Sequence, residues 1–222
     1  MRTSARGRAA AALAVVAVLV VGAVPAHAGT TEPYTASISR IDPATRERMI
    51  GVSWHAGCPV RLRVLRVVRL TYVGFDGDAH HGRLIVHRRW AEEMVSVFRK
   101  IYRAGFPIRR VRPVDAYGGD DRTSMRHDNT SAFNCRFVAG TTTWSQHAYG
   151  RAVDIDPVEN PYVDGSQVSP RRGRRYADRS DVRPGMISKR DVVWRAFHRI
   201  GWGWGGAWRS AQDYQHFSSN GH

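Results

Sequence analysis

Lysine is nearly missing from this chain. Lys100 and Lys189 are the only two among 34 basic residues, so arginine carries almost all of the positive charge. Cysteine is as scarce: Cys58 and Cys135 stand alone, and neither has a neighbour at CxxC spacing. That excludes a thiolate zinc cluster and a CxxC redox motif, both of which need closely spaced cysteines. No internal repeat occurs, and no cluster of glycine and lysine suited to cradling phosphates. After residue 24 no apolar run is long enough to span a bilayer.

What precedes that point is a different kind of sequence. Arg2, Arg6 and Arg8 lead into an apolar run from about Ala9 to Val24, closed by Ala26-His27-Ala28. A basic start, an apolar centre and a small-x-small end describe a secretory signal peptide over residues 1–28, with a soluble product expected outside the cytoplasmic membrane. Loss of the three arginines lowers the formal charge from +15 to +12. Such an excess draws a protein towards polyanions in a salt-sensitive way. For an exported protein the expected polyanion is an anionic cell-wall polymer, with nucleic acid the lesser option. In an oxidising compartment Cys58 and Cys135 are expected to form a disulfide.

The remaining length suits one domain with a real core. Residues 29–50, with Pro33 and Pro43, read as an extended leader to a domain over 51–222. Arg61 to Phe75 reads as a strand, Asp76-Gly77-Asp78 as a turn, and Gly82 to His87 as the returning strand. Trp90, Met94, Val97, Phe98 and Ile101 fall at helical spacing, with Gly105 and Pro107 as the stop. Ile108 to Tyr117 reads as a further strand, Asp120 to Thr143 as a long ordered loop, Val153 to Asp156 as a short strand, and 157–186 as a surface excursion. Asp191 to Ile200 gives a short amphipathic helix before Trp202, Trp204 and Trp208. The expected fold is a single α+β domain, with a small, mostly antiparallel sheet and flanking helices, acting as a monomer.

Two segments carry chemistry. The first is Ser145-Gln146-His147-Ala148-Tyr149-Gly150-Arg151-Ala152-Val153-Asp154-Ile155-Asp156, and the second is Asp213-Tyr214-Gln215-His216-Phe217. Gly150, Val153 and Ile155 disfavour a helix in the first. A turn at Gly150 entering a strand brings His147 and Asp154 to one point, with Asp154 and Asp156 on one face and Val153 and Ile155 towards the core. In the second, a tight turn sets Asp213 on the side of His216. Two imidazoles and a carboxylate suffice for a hydrolytic metal site, and a spare carboxylate for its base. Taken alone, the first segment is a weak metal signal that reads first as surface or structural, and the second reads equally as a packed or half-exposed histidine. The nearby tryptophans read as core, with a wall of the site as the alternative.

Ser145-x-His147-x-x-Gly150-x-Ala152-x-Asp154, followed far downstream by Asp213-x-x-His216, resembles the zinc D-alanyl-D-alanine carboxypeptidase family (VanY-like, of the Hedgehog/DD-peptidase fold). The likeness covers roughly residues 50–217. It implies that His147, Asp154 and His216 bind Zn²⁺ and that Asp213 is the general base. It implies peptidoglycan stem peptides as partners and an arginine that polarises the scissile carbonyl. Many members carry glutamate where this chain has Asp213, and the arginine's spacing is not kept, which leaves Arg136 as first choice and Arg122 as second. Ser145 is no nucleophile on this reading, since its near histidine is a ligand, and Asp156 is either a partner of a ligand histidine or a solvated strand end. D-Ala-D-Ala carboxypeptidase, dipeptidase and L-Ala-D-Glu endopeptidase share these motifs. The rivals from other classes are a non-catalytic zinc-containing wall-binding module and a basic nuclease.

Overall fold

The computed structural model describes Met1 and residues 32–222; the signal peptide expected at 1–28, apart from Met1, lies outside the described residues. Strands β1 (Ala36–Arg40), β2 (Leu65–Val73) and β3 (Ala79–His87) form an antiparallel sheet in that order. The β2–β3 hairpin turns through Gly74 to Asp78, with Gly77 at φ 85° where the expected turn lies. Within the stretch read as an extended leader, Ala36–Arg40 forms β1, which is bonded into this sheet. Helix α1 (Pro43–Met49) follows it, because Asp42 caps the Thr45 N–H at 2.7 Å and a proline at the first helical position costs no hydrogen bond.

Helix α2 (Ala91–Arg103) lays Met94, Val97, Phe98 and Ile101 on the sheet, all buried, with Glu92 and Glu93 in its first turn and Lys100 and Arg103 in its last. That placement of charge suits the helix dipole. The strand expected over 108–117 does not form. Val111 makes an isolated bridge to Thr130, and Val114–Tyr117 is a 3-10 turn. Pro107 and Pro113 offer no N–H to a ladder, which explains the failure. The long loop expected from Asp120 contains α3 (Asp121–Arg126), capped by the Asp120 carboxylate on the Thr123 N–H.

The second half builds two small sheets. Strands β4 (Ala152–Asp154), β5 (Tyr162–Asp164) and β6 (Gln167–Ser169) precede helix α4 (Val192–His198). Strands β7 (Gly203–Trp204), β8 (Gln212–Asp213) and β9 (His216–Ser218) follow it. One sheet has the order β4-β9-β7 and the other β6-β5-β8. The stretch 157–186 is therefore more than a surface excursion, since it supplies β5, β6 and the buried Val158, Tyr176 and Met186. Phe197 of α4 stacks on Phe217 of β9 at 4.2 Å, and with Trp202, Val153 and Ile155 they join the core under α2. The whole is α+β, and among the described residues no helix is long and apolar enough to cross a membrane.

Cys58 and Cys135 are bonded, with Cα atoms 5.9 Å apart across a separation of 77 residues. The bridge sits against Met49, Leu65 and Phe133 and ties the chain after α1 to the segment ahead of His147. Replacing both cysteines by alanine is expected to lower the unfolding free energy by about 2–4 kcal/mol, because the unfolded chain loses a long closed loop. Equilibrium urea unfolding checks this, and an unchanged midpoint would contradict it.

Candidate metal centre and catalytic site

His147 stands in a 3-10 turn, Gln146–Tyr149, opened by Ser145, whose Oγ accepts the His147 N–H. Gly150 ends the turn at φ 66°, and a Cβ there would lie 2.6 Å from the His87 nitrogen, so only glycine fits. The chain then enters β4, where Asp154 lies directly opposite His216 of β9 in the antiparallel register. Three side chains converge as a result. His147 Nε2 is 3.2 Å from Asp154 Oδ2, His216 Nδ1 is 3.0 Å from Asp154 Oδ1, and the two nitrogens are 3.3 Å apart. All three residues are buried, and their donor atoms lie within 4.8 Å of one another.

The state of these donors follows from their neighbours. His147 Nδ1 lies 2.5 Å from the Ala132 carbonyl, which can only accept, so Nδ1 carries a proton and Nε2 is the ring nitrogen turned to Asp154 and the cluster. Burial alone would raise the Asp154 carboxyl. Its charge pairing with His147 and its hydrogen bonds to both histidines hold it well below the usual carboxylate range. Burial pulls His216 down, but the bond to Asp154 prevails and raises it. Two nitrogens and a carboxylate turned towards a common point match the mixed N/O donor set of a three-ligand zinc site.

Asp213 lies at the end of β8, paired with Tyr162 of β5. Its Oδ1 is enclosed and has no hydrogen-bond partner. Burial first, and then the Asp154 charge, push its carboxyl up to about 6. A Cβ on Gly205 would come within 2.9 Å of Asp213 Cβ and 3.3 Å of His216 Cβ, so that glycine keeps room for both side chains. Trp208 packs against His216 with ring centres 5.6 Å apart, whereas Trp202 and Trp204 are core. The tryptophans thus divide between the two roles open to them.

Arg136 stands beside the His147 turn, its carbonyl accepting the Ser145 N–H at 3.1 Å. Its guanidinium pairs with Asp121 at 3.0 Å, while its Nε is enclosed without a partner. Arg122 is exposed on α3. Asp156 is neither a partner of a ligand histidine nor a solvated strand end. The chain leaves the strand there at φ 42°, and the fully buried carboxylate accepts from the Arg109 N–H and from Thr130. Two contributors escaped the sequence reading. The Ala132 carbonyl, being backbone, carries no sequence signal. Gln215 is buried next to His216 and its side chain lowers the Asp213 pKa, and its position between two named residues was the one available hint.

Fold and site together define an α+β domain with a buried His-Asp-His donor set and an enclosed carboxylate beside it. Residues 139–219 match the family model described as D-alanyl-D-alanine carboxypeptidase. The matched stretch contains His147, Asp154, Asp213 and His216 and agrees with the resemblance drawn from the motifs, so it supports a peptidase; Arg136 lies just ahead of it. No curated protein and no solved structure matches the chain.

Beneath the site Asp156 meets two more buried acids, Asp128 and Glu159, facing Arg109 at 3.6 Å from each of the latter pair. Burial, then the hydrogen bond and charge of Glu159, push Asp128 up to about 8. The folded protein therefore keeps a proton that the unfolded chain releases near pH 4. The associated stability is complete below about pH 4 and is lost as the pH rises through about 8. Urea midpoints are expected to fall across that range, and Asp128→Asn to flatten the slope by up to one proton. An equal slope in the variant would place the proton elsewhere.

Proposed function

We propose that this protein is an exported zinc peptidase that removes the terminal residue from peptidoglycan stem peptides ending in D-Ala-D-Ala. The convergence of His147, Asp154 and His216 within 4.8 Å carries this reading, and the family match over 139–219 agrees with it. Those three residues would hold the ion, which supplies Lewis-acid chemistry at the scissile carbonyl. Asp213 takes the proton that water loses on attack and returns it to the leaving amine, a role suited to a carboxylate whose enclosed oxygen has no other partner. Arg136, held by the adjacent disulfide and by Asp121, supplies a guanidinium to the carbonyl oxygen as negative charge grows there. Secretion rests on the residues 1–28 pattern alone.

Incubation of purified protein with a muropeptide ending in D-Ala-D-Ala, followed by mass spectrometry, tests the reading. Loss of one alanine that stops with chelator and returns with zinc is the expected result. Asp213→Ala is expected to lower kcat by about 10²–10⁴-fold and to keep its zinc, while His216→Ala loses the metal. The base must be ionised, so kcat/KM falls as the pH drops through the Asp213 pKa, at or below about 6, since a dication beside it favours the charged form. Cleavage insensitive to chelator, or full turnover by Asp213→Ala, would remove the proposal. Release of a different fragment would move the assignment to another bond, such as L-Ala-D-Glu.

A further inference from the structure

A groove of about 430 Å³ lies between α1 and the start of β2, and none of the candidate metal ligands lines it. Five arginines line it: Arg40 at the end of β1, Arg46 on α1, Arg63 and Arg66 about the start of β2, and Arg88 just after β3. The strand register sets Arg40 directly opposite Arg66, a like-charge pair that by itself destabilises a sheet. None of the ion pairs among the described residues includes any of the five. Residues 2–31 contain no acid that could neutralise them. Asp42, two residues after Arg40, is turned to Arg69 and to the Thr45 N–H, and Glu47 does not line the groove.

The groove is also organised. Arg66 Nη1 donates to the carbonyls of Arg63 and Leu65 at 3.1 and 2.8 Å, which fixes its guanidinium at the groove wall. The positive field reaches His87, which burial and then Arg88, Arg151 and Arg66 hold below its ordinary pKa. The floor is aliphatic, formed by Ile41, Leu62 and Leu65. No aromatic side chain lines it, so it offers no platform for stacking a base. Guanidinium forks suit phosphate oxygens, and an aliphatic floor suits short carbon units between phosphates.

We infer that this groove binds a flexible phosphodiester chain whose phosphates are joined by short polyol units. The inference is independent of the zinc peptidase reading. Binding of a synthetic glycerol-phosphate oligomer, followed by calorimetry across salt concentrations from about 50 mM upward, tests it. The variant Arg40→Gln/Arg46→Gln/Arg63→Gln is compared with Arg171→Gln/Arg174→Gln/Arg209→Gln, which removes the same charge from exposed sites elsewhere; melting curves establish that both are folded. The groove variant is expected to bind at least about tenfold more weakly with a salt slope shallower by about two, and the control within about twofold of the parent. Equal losses in both variants would mean diffuse attraction to a basic surface and overturn the inference. So would an absence of binding at low salt, or equal affinity for a single-stranded oligonucleotide with the same number of phosphates.

Discussion

The antiparallel register of β4 and β9 sets Asp154 opposite His216 and, one step along, Val153 opposite Phe217. Side chains alternate along a strand, so a slip of one residue would exchange the polar pair for the apolar one. The hydrogen bond between Asp154 and His216 is too weak to decide that alone, since even a charge-assisted bond contributes about 1.5–3 kcal/mol net. Phe217 carries more weight. It is buried, stacks on Phe197 of α4, and lies in the core with Trp202; removing such a ring costs about 3–5 kcal/mol. Apolar packing thus fixes the position of the polar site, and α4, which contributes none of the converging donors, holds His216 in place through its neighbour.

The same packing imposes an electrostatic load. Asp154, Asp156, Asp128 and Glu159 are all buried, in a protein whose overall charge is strongly positive. They are stabilised by different means. Asp154 remains ionised beside two imidazoles, whereas Asp128 and Glu159 face one arginine, Arg109, and burial among acids raises the pKa of Asp128 and Asp156. Asp156 marks the divide. It sits two residues after Asp154, yet its positive φ turns it from the donor cluster into the acid cluster below. The surplus of arginine lies on the surface and does not neutralise these groups, so net charge says little about the interior.

Much of this was legible in the sequence where local chemistry decided the outcome. The Asp76-Gly77-Asp78 turn, the apolar stripe of α2 and the Asp191 start of α4 all rest on short-range rules, and they lie where those rules put them. The spacing of His147, Gly150 and Asp154 was readable for the same reason. Other elements depended on partners that no local pattern contains. Residues 108–117 have strand-like composition but are punctuated by proline, and β1 exists because β2 offers it an edge. The helix at Asp121 was hidden by its polarity, although its Asp120 cap was in view. Arg136 is the harder case, because an arginine's role depends on what it faces, and composition gave 32 of them equal standing.

The charges around Asp213 set out what a cation would relieve in the cluster. Asp154 and Asp213 are two carboxylates in one enclosed space, and the charge on the first raises the pKa of the second. The histidine charges act the other way on Asp213, but burial and the Asp154 charge prevail and its carboxyl is raised. Asp213 Oδ1 has no hydrogen-bond donor to compensate for its burial. An uncompensated buried oxygen costs about 1–3 kcal/mol, more when charged, and a fold keeps such a group where something else meets it. A dication held by His147, Asp154 and His216 would offset the Asp154 charge, relieve the repulsion on Asp213, and leave that carboxylate ionised with an oxygen open to a proton. The features that are costly among these side chains by themselves are those a hydrolytic centre requires.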